Sequence, residues 1–351
     1  MINLTAEQIT EELRIFSTKL AQGRETLSSL GDITTGVSPR DPVYQEDKLV
    51  LYRYQPRVEK PHPVPLLIVY ALVNRPYMMD LQEDRSMIRG LLNAGLDVYL
   101  VDWGYPDSDD RYLGLADYIH RYIHHCVDVL RERHQIDDIN LLGVCQGGSL
   151  SLCFTSLYPK KIRNLVTMVT PVDFQTPDNL LSHLVQHVDI DLLVNTLGNL
   201  PGQLLNFTFL SLSPFRLGGQ KYVNLVDIAD DVQALKGFLR MEKWIFDSPD
   251  QAGEAFRQFA KDFFQKNKLV KGGLMIGDKA VNLSNITMPV LNVYADQDHL
   301  VPPSSSKALA KHCGSTDYSE FSFHGGHIGI YVSGRAQCDV PPKIASWLLE
   351  R

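Results

Sequence analysis

A doubly wound, mostly parallel α/β sheet interrupted by a mainly helical insertion is the fold this sequence predicts. Three observations carry that expectation. Short apolar runs of strand length alternate with helical patterns through the first half of the chain. The alternation stops from about Phe174 to Asn285 and resumes at Val290. A glycine-flanked pentapeptide, Gly143-Val144-Cys145-Gln146-Gly147, sits where a strand must turn sharply into a helix.

Taken in order, Thr5 to Leu30 reads as an amphipathic helix, with Ile9, Leu13, Phe16 and Leu20 at three- and four-residue steps. It could pack on the core or on a partner. Val50 to Tyr54 is strand-like, and Leu66 to Ala71 is a buried strand. Ser86 to Ala94 is helical and stops at Gly95. Asp97 to Val101 is the next strand, and Leu113 to Arg133 a long helix. Ile139 to Leu142 leads into the pentapeptide, and Asn164 to Thr170 is a further strand closed by Pro171. The insertion carries prolines at 177, 201, 214 and 249. Pro289 to Ala295 and Tyr318 to Phe323 then restore strand periodicity. The expected organisation is a helical segment over 1–40, a catalytic core over 41–173 and 286–351, and an inserted cap over 174–285. In a doubly wound sheet the site lies at the carboxyl ends of the strands.

The pentapeptide has the form of the G-x-S-x-G nucleophile elbow of the α/β-hydrolases, with sulfur in place of oxygen. A cysteine acyl-enzyme is a thioester, so it keeps the acyl group activated. Its exchange with an acyl-CoA thioester is close to isoenergetic, and a thiolate is far more available at neutral pH than an alkoxide. Cysteine in this frame suggests acyl transfer. The competing reading is a buried cysteine at a tight junction. Against it stands the rest of a triad in the order nucleophile, acid, histidine.

The acid should follow a late strand. Asp296 and Asp298 compete after Pro289–Ala295. Asp298, three residues before Val301-Pro302, has the usual hydrolase placement, which leaves Asp296 as a turn residue. The histidine should follow the last strand. His327 lies in the Gly-rich loop His324-Gly325-Gly326-His327, while His324 is closer to the strand and reads as structural. His299 is either a surface neighbour of Asp298 or a secondary site residue. The oxyanion needs two N–H donors: that of Gln146, and one from the loop after Leu66–Ala71, for which Val73 is nominated with Asn74 as competitor. In the insertion, the apolar run Leu204 to Leu210 could line an acyl channel but more often would be cap core. Trp244 and the set Phe256, Phe259, Phe263 and Phe264 likewise read as core.

Several segments together resemble the polyhydroxyalkanoate synthases: Val69-Tyr70-Ala71-Leu72-Val73-Asn74-Arg75-Pro76-Tyr77, Gly143-Val144-Cys145-Gln146-Gly147-Gly148, Met241 to Asp250, Asp298-His299-Leu300-Val301-Pro302 and Gly325-Gly326-His327-Ile328-Gly329. The likeness runs over nearly the whole chain. Length and Asn74-Arg75-Pro76 are most similar to the catalytic subunit of the two-component class III enzymes, with class IV subunits of similar size. The long N-terminal domain of the class I and II enzymes is not expected. The resemblance implies polymerisation of (R)-3-hydroxyacyl-CoA with release of CoA, 3-hydroxybutyryl-CoA being the expected substrate. It implies Cys145 as the residue carrying the growing chain and His327 as the base that activates it. Asp298 is implied to act on the hydroxyl of the hydroxyacyl group, directly or with the histidine. A non-catalytic second subunit and the polymer granule surface are the implied partners, and a homo-oligomer is expected. No cofactor and no metal are expected, CoA being the leaving group of the substrate. The other readings are a cysteine hydrolase of the dienelactone-hydrolase type and a catalytically dead granule scaffold.

Composition agrees. A chain of 351 residues can bury a large core. With 44% hydrophobic and 21% charged residues it is an ordinary globular sequence. The net charge of −7 argues against a nucleic-acid surface, and it means that any CoA site must collect local Arg or Lys. Five cysteines without C-x-x-C spacing provide no zinc framework and no even disulfide set. Cys126 and Cys153 read as core, Cys313 and Cys338 as incidental. A reducing cytoplasm suits a catalytic thiol. The first residues lack a secretion signal, and no run of about 18 apolar residues predicts a membrane span.

Overall fold

Alternation within the apolar runs decides the architecture. In the computed structural model, which describes residues 31–212, 220–228 and 230–351 with Thr10, Glu11, Arg14, Thr18 and Pro214, Leu66 and Ile68 point into one apolar layer and Leu67 and Val69 into another. Both faces of the central strands are therefore covered, which is why these strands read as unbroken apolar runs. The amphipathic stripe Ile9, Leu13, Phe16 and Leu20 lies outside the described residues.

Eight strands form the main sheet: β1 Arg40–Glu46, β2 Leu49–Tyr54, β3 Leu66–Val69, β4 Val98–Asp102, β5 Ile139–Val144, β6 Ile162–Met168, β7 Val290–Ala295 and β8 Tyr318–Phe323. Their order is β1-β2-β4-β3-β5-β6-β7-β8. β1, β2 and β4 pair antiparallel, and every pair from β4 to β8 is parallel. The order departs from chain order where β3 lies inside β4, so β3 sits beside β5 with Val69 opposite Gly143. That register places the end of β3 against the elbow.

The first strand is absent from the sequence expectation. Arg40–Glu46 is a half-exposed edge strand carrying Pro42, and it lacks the apolar alternation that marks a half-buried strand. The expected helix Leu113–Arg133 is also corrected. Gly114 N–H is capped by the Asp117 carboxylate at 2.8 Å, so the helix begins after it. Asp117–Ile123 is π-helical and runs into the α-helix His124–His134. The helix Met87–Asn93 is capped by Ser86, whose hydroxyl accepts from Arg89 N–H at 2.9 Å.

Among the described residues the insertion is mainly helical, with a short hairpin, Met275–Ile276 with Lys279–Ala280, and a single bridge between Leu200 and Gln251. It divides into two parts. From Ala252 onward, Phe259, Phe263, Leu269 and Leu283 join the same apolar layer as the sheet, with Phe174 edge-on to Phe259 and Phe263. The earlier part is different. Ten of the fourteen strongly exposed large apolar side chains among the described residues fall within 180–246. Leu204 is 38% and Phe207 70% exposed, so the run Leu204 to Leu210 is not packed as cap core. Among the described residues, no helix is long and apolar enough to cross a membrane.

Candidate active site

The elbow forms because its glycines allow backbones to touch. A Cβ on Gly143 would lie 2.6 Å from the Gly148 Cα. One on Gly147 would collide with the carbonyl oxygens of Val69 and Tyr70. The helix Gln146–Leu157 can therefore start directly against the end of β3. Cys145, at the apex, has φ +53° and ψ −125°, a strained conformation for a residue with a side chain. Its N–H is anchored to the Met168 carbonyl at 2.9 Å. The side chain stands half-buried at the carboxyl end of the sheet, at the start of the helix.

His327 and Asp298 are brought to the thiol by the loops after β8 and β7. Asp298 is buried, and each of its carboxylate oxygens is used. Oδ1 accepts from the N–H groups of Leu300 and Val301 at 2.9 Å each. Oδ2 accepts from His327 Nδ1 at 2.6 Å. With Nδ1 engaged there, Nε2 is the nitrogen left for Cys145. Burial alone would lower the His327 pKa. The Asp298 charge, the Cys145 sulfur and the hydrogen bonds to both outweigh it and raise the imidazole from 6.5 to about 10.

Asp296 and His324 form a second pair at 2.9 Å, on the exposed side of the same loops. His299 is partly buried beside Asp298. The loop after β3 is built tightly. Leu72 N–H donates to the Gln146 side chain at 3.1 Å, and Asn74 sits at φ +58°. Arg75 pairs with the buried Asp102 at 2.8 Å and with the Gly104 carbonyl at 2.8 Å. Gln146 N–H, in the first turn of its helix, lacks an intrahelical acceptor and carries the partial positive charge of the helix start. The next loop residue after Leu72, Val73, is partly exposed.

Three contacts tie the insertion to this loop and a fourth ties it to the loop after β4, and no sequence pattern singled them out as site contacts. Asn74 Nδ2 donates to Asn206 Oδ1 at 3.3 Å, and Asn206 in turn donates to the Ile245 carbonyl. Trp244 Nε1 donates to the Arg75 carbonyl at 2.8 Å. The Tyr77 and Tyr105 hydroxyls both donate to Asp247, at 3.0 and 2.7 Å. The one legible signal was Asn206, an amide set in the apolar run Leu204 to Leu210. The cleft between Asn74, Arg75 and Trp103 and the segment Pro249–Gln251 has a volume of about 10 Å³, barely room for one water.

All five cysteines are free. Burial pushes the Cys126 and Cys153 thiols well up, so they are inert core residues. Among the described residues, no group of three or more His, Cys, Asp or Glu is arranged to hold a metal ion. The arrangement can make and break a covalent bond at sulfur, with a paired imidazole to move the proton.

Comparison with known proteins adds a lineage to this geometry. The alpha/beta hydrolase fold family matches residues 64–333, and the family described as Poly-beta-hydroxybutyrate polymerase (PhaC) N-terminus matches residues 14–91. The chain is 63% identical to the Poly(3-hydroxyalkanoate) polymerase subunit PhaC of Allochromatium vinosum, over 100% of this chain and 99% of that relative. It is 61% identical to the same-named subunit of Thiocystis violacea over 100% and 99% of the two chains. For the subunit of Synechocystis sp. the identity is 56% over 98% and 94%. Among solved structures, a monoacylglycerol lipase of Paleococcus ferrophilus superposes with TM-score 0.52 at 16% identity, covering 86% of this chain and 98% of that one. That likeness shows the α/β-hydrolase fold.

Proposed function

The chain belongs to the poly(3-hydroxyalkanoate) polymerase family, and on that premise we propose that it polymerises (R)-3-hydroxyacyl-CoA, 3-hydroxybutyryl-CoA in particular, through a thioester on Cys145. The observation that carries this reading is a cysteine at a strained elbow, paired with a buried His327–Asp298 couple. In the first step Cys145 Sγ, its proton already held on His327 Nε2, attacks the thioester carbonyl. The oxyanion is met by the N–H of Gln146 and by one from the Val73–Asn74 segment. The carbonyl re-forms, the CoA sulfur leaves with the proton from His327, and the acyl group stays on Cys145. In the elongation step the 3-hydroxyl of an acyl unit attacks an acyl thioester carbonyl, His327 taking the hydroxyl proton. The expelled sulfur is then reprotonated.

Asp298 works through His327 in this reading. Both its oxygens are already engaged and it has no exposed side-chain surface, so an acceptor hydroxyl would meet the imidazole first. The carboxylate holds the ring in one tautomer and stabilises its charge.

The cap contacts support a gated site. A bulky CoA ester must enter and a polymer must leave, while hydrogen bonds from Asn206, Trp244 and Asp247 hold the insertion against the loop after β3. A partner that prefers the open form raises activity by shifting that population. The exposed apolar side chains of 180–246 offer surface for a second, non-catalytic subunit, for the polymer granule or for another copy. The class III subunit type, granule association and a cytoplasmic setting belong to this same reading. The test is to incubate the protein with 3-hydroxybutyryl-CoA, with and without a partner subunit, and to assay CoA release and polymer together. Oligomer retained on Cys145, with a lag that the partner shortens, is expected. Bulk free acid without retained oligomer points instead to a cysteine hydrolase.

A further inference from the structure

Beside the imidazole of His327 lies a second polar group that the steps above do not use. Tyr331 belongs to the short helix Gly329–Val332, one turn after His327. Its ring stands edge-on to the His327 ring, with centroids 6.1 Å apart, and edge-on to Tyr70 at 6.4 Å, where β3 leads into the oxyanion loop. The residue is 1% exposed, and its hydroxyl has no hydrogen-bond partner. A buried phenol usually finds one, because a hydroxyl taken out of water without a partner is destabilising. Burial holds the phenol proton on, and Tyr70, Cys145 and Asp298 add to that effect. Tyr331 is therefore a donor at any working pH, within electrostatic reach of the nucleophile yet without a bond to its sulfur.

We propose that the Tyr331 hydroxyl donates a hydrogen bond to the oxygen on the third carbon of the acyl group carried by Cys145, and so selects 3-oxygenated acyl chains. The acyl carbonyl is held by the oxyanion donors, so the chain must continue beyond it, and the third carbon is where the proposed 3-hydroxyacyl substrate carries its further oxygen. A group with an oxygen there satisfies the phenol; a plain alkyl chain leaves it orphaned. A site built to hydrogen-bond a substrate oxygen discriminates against the analogue lacking it because its own polar group is left unpaired. This inference rests on the thioester reading of Cys145.

The experiment compares single-turnover CoA release from 3-hydroxybutyryl-CoA and from butyryl-CoA, in the wild type and in Tyr331→Phe, with the melting temperature of both proteins. The wild type should favour the hydroxylated thioester, and Tyr331→Phe should reduce that preference by about tenfold. Because the hydroxyl is unpartnered, Tyr331→Phe should melt no lower than the wild type. An unchanged preference overturns the proposal. So does a marked drop in melting temperature or failure to fold, since either means the hydroxyl is already bonded inside the protein. No CoA release from either thioester by the wild type would bring down the Cys145 reading itself, and this inference with it.

Discussion

Two Asp–His pairs hang from the same two loops, and they differ in almost everything except residue type. Asp298–His327 is buried, with side-chain exposures of 0% and 7%; Asp296–His324 lies outside, at 40% and 58%. The inner carboxylate is locked by two further backbone N–H groups, while the outer one holds Gly325 N–H and His324. Their lengths are close, 2.6 and 2.9 Å. Distance alone does not tell how much each pair weighs. Burial does, because water screens the outer pair and leaves it little energetic weight. In the interior the same interaction raises His327 to about 10 despite desolvation.

The comparison breaks most sharply at the thiol. Cys145→Ala should abolish CoA release with the fold intact, and Cys145→Ser should retain at most a trace. Near-wild-type turnover in Cys145→Ala would falsify the inner site as the place of chemistry. Next in size, His327→Gln should slow alkylation of Cys145 by iodoacetamide by about 100-fold or more, with His324→Gln unchanged. Equal effects of the two substitutions would erase the distinction drawn from burial.

Asp298→Asn should come third, lowering acylation and elongation by similar factors, since the carboxylate acts through the ring. Pre-steady-state CoA release set against polymer growth measures both. A loss confined to elongation would instead place Asp298 on the acceptor hydroxyl. Asp296→Asn should stay within about twofold in either assay and leave the melting temperature unchanged.

The smallest effect concerns pH. The folded His327 pKa lies above its ordinary value of 6.5, so its protonated form stabilises the fold. That contribution is complete below pH 6.5 and is lost as pH rises towards about 10. Denaturant melts of wild type and His327→Gln should therefore differ most below pH 6.5 and converge at alkaline pH. A gap that widened with pH would reverse the sign assigned to the buried couple.

Much of this was legible in the residues because it is local. Gly143 and Gly147 flank a cysteine at a strand end, and only a side chain without Cβ tolerates carbonyls at that distance. The alternating strands revealed the doubly wound sheet, since buried faces need apolar residues at period two. Spacing also distinguished Asp298 from Asp296, because a turn before Val301-Pro302 aims one carboxylate inward. What stayed hidden depends on groups far apart in the chain. Arg40–Glu46 became a strand because Leu49–Tyr54 offered it a partner, not through apolar periodicity. Asn206, Trp244 and Asp247 reach the loop after β3 across more than a hundred residues, and polar side chains of that kind look the same on a solvated helix. The hydroxyl of Tyr331 is unremarkable in sequence. Only packing against His327 and Tyr70 removes its water without supplying a partner, because burial and hydrogen-bond satisfaction are set by what the fold brings together.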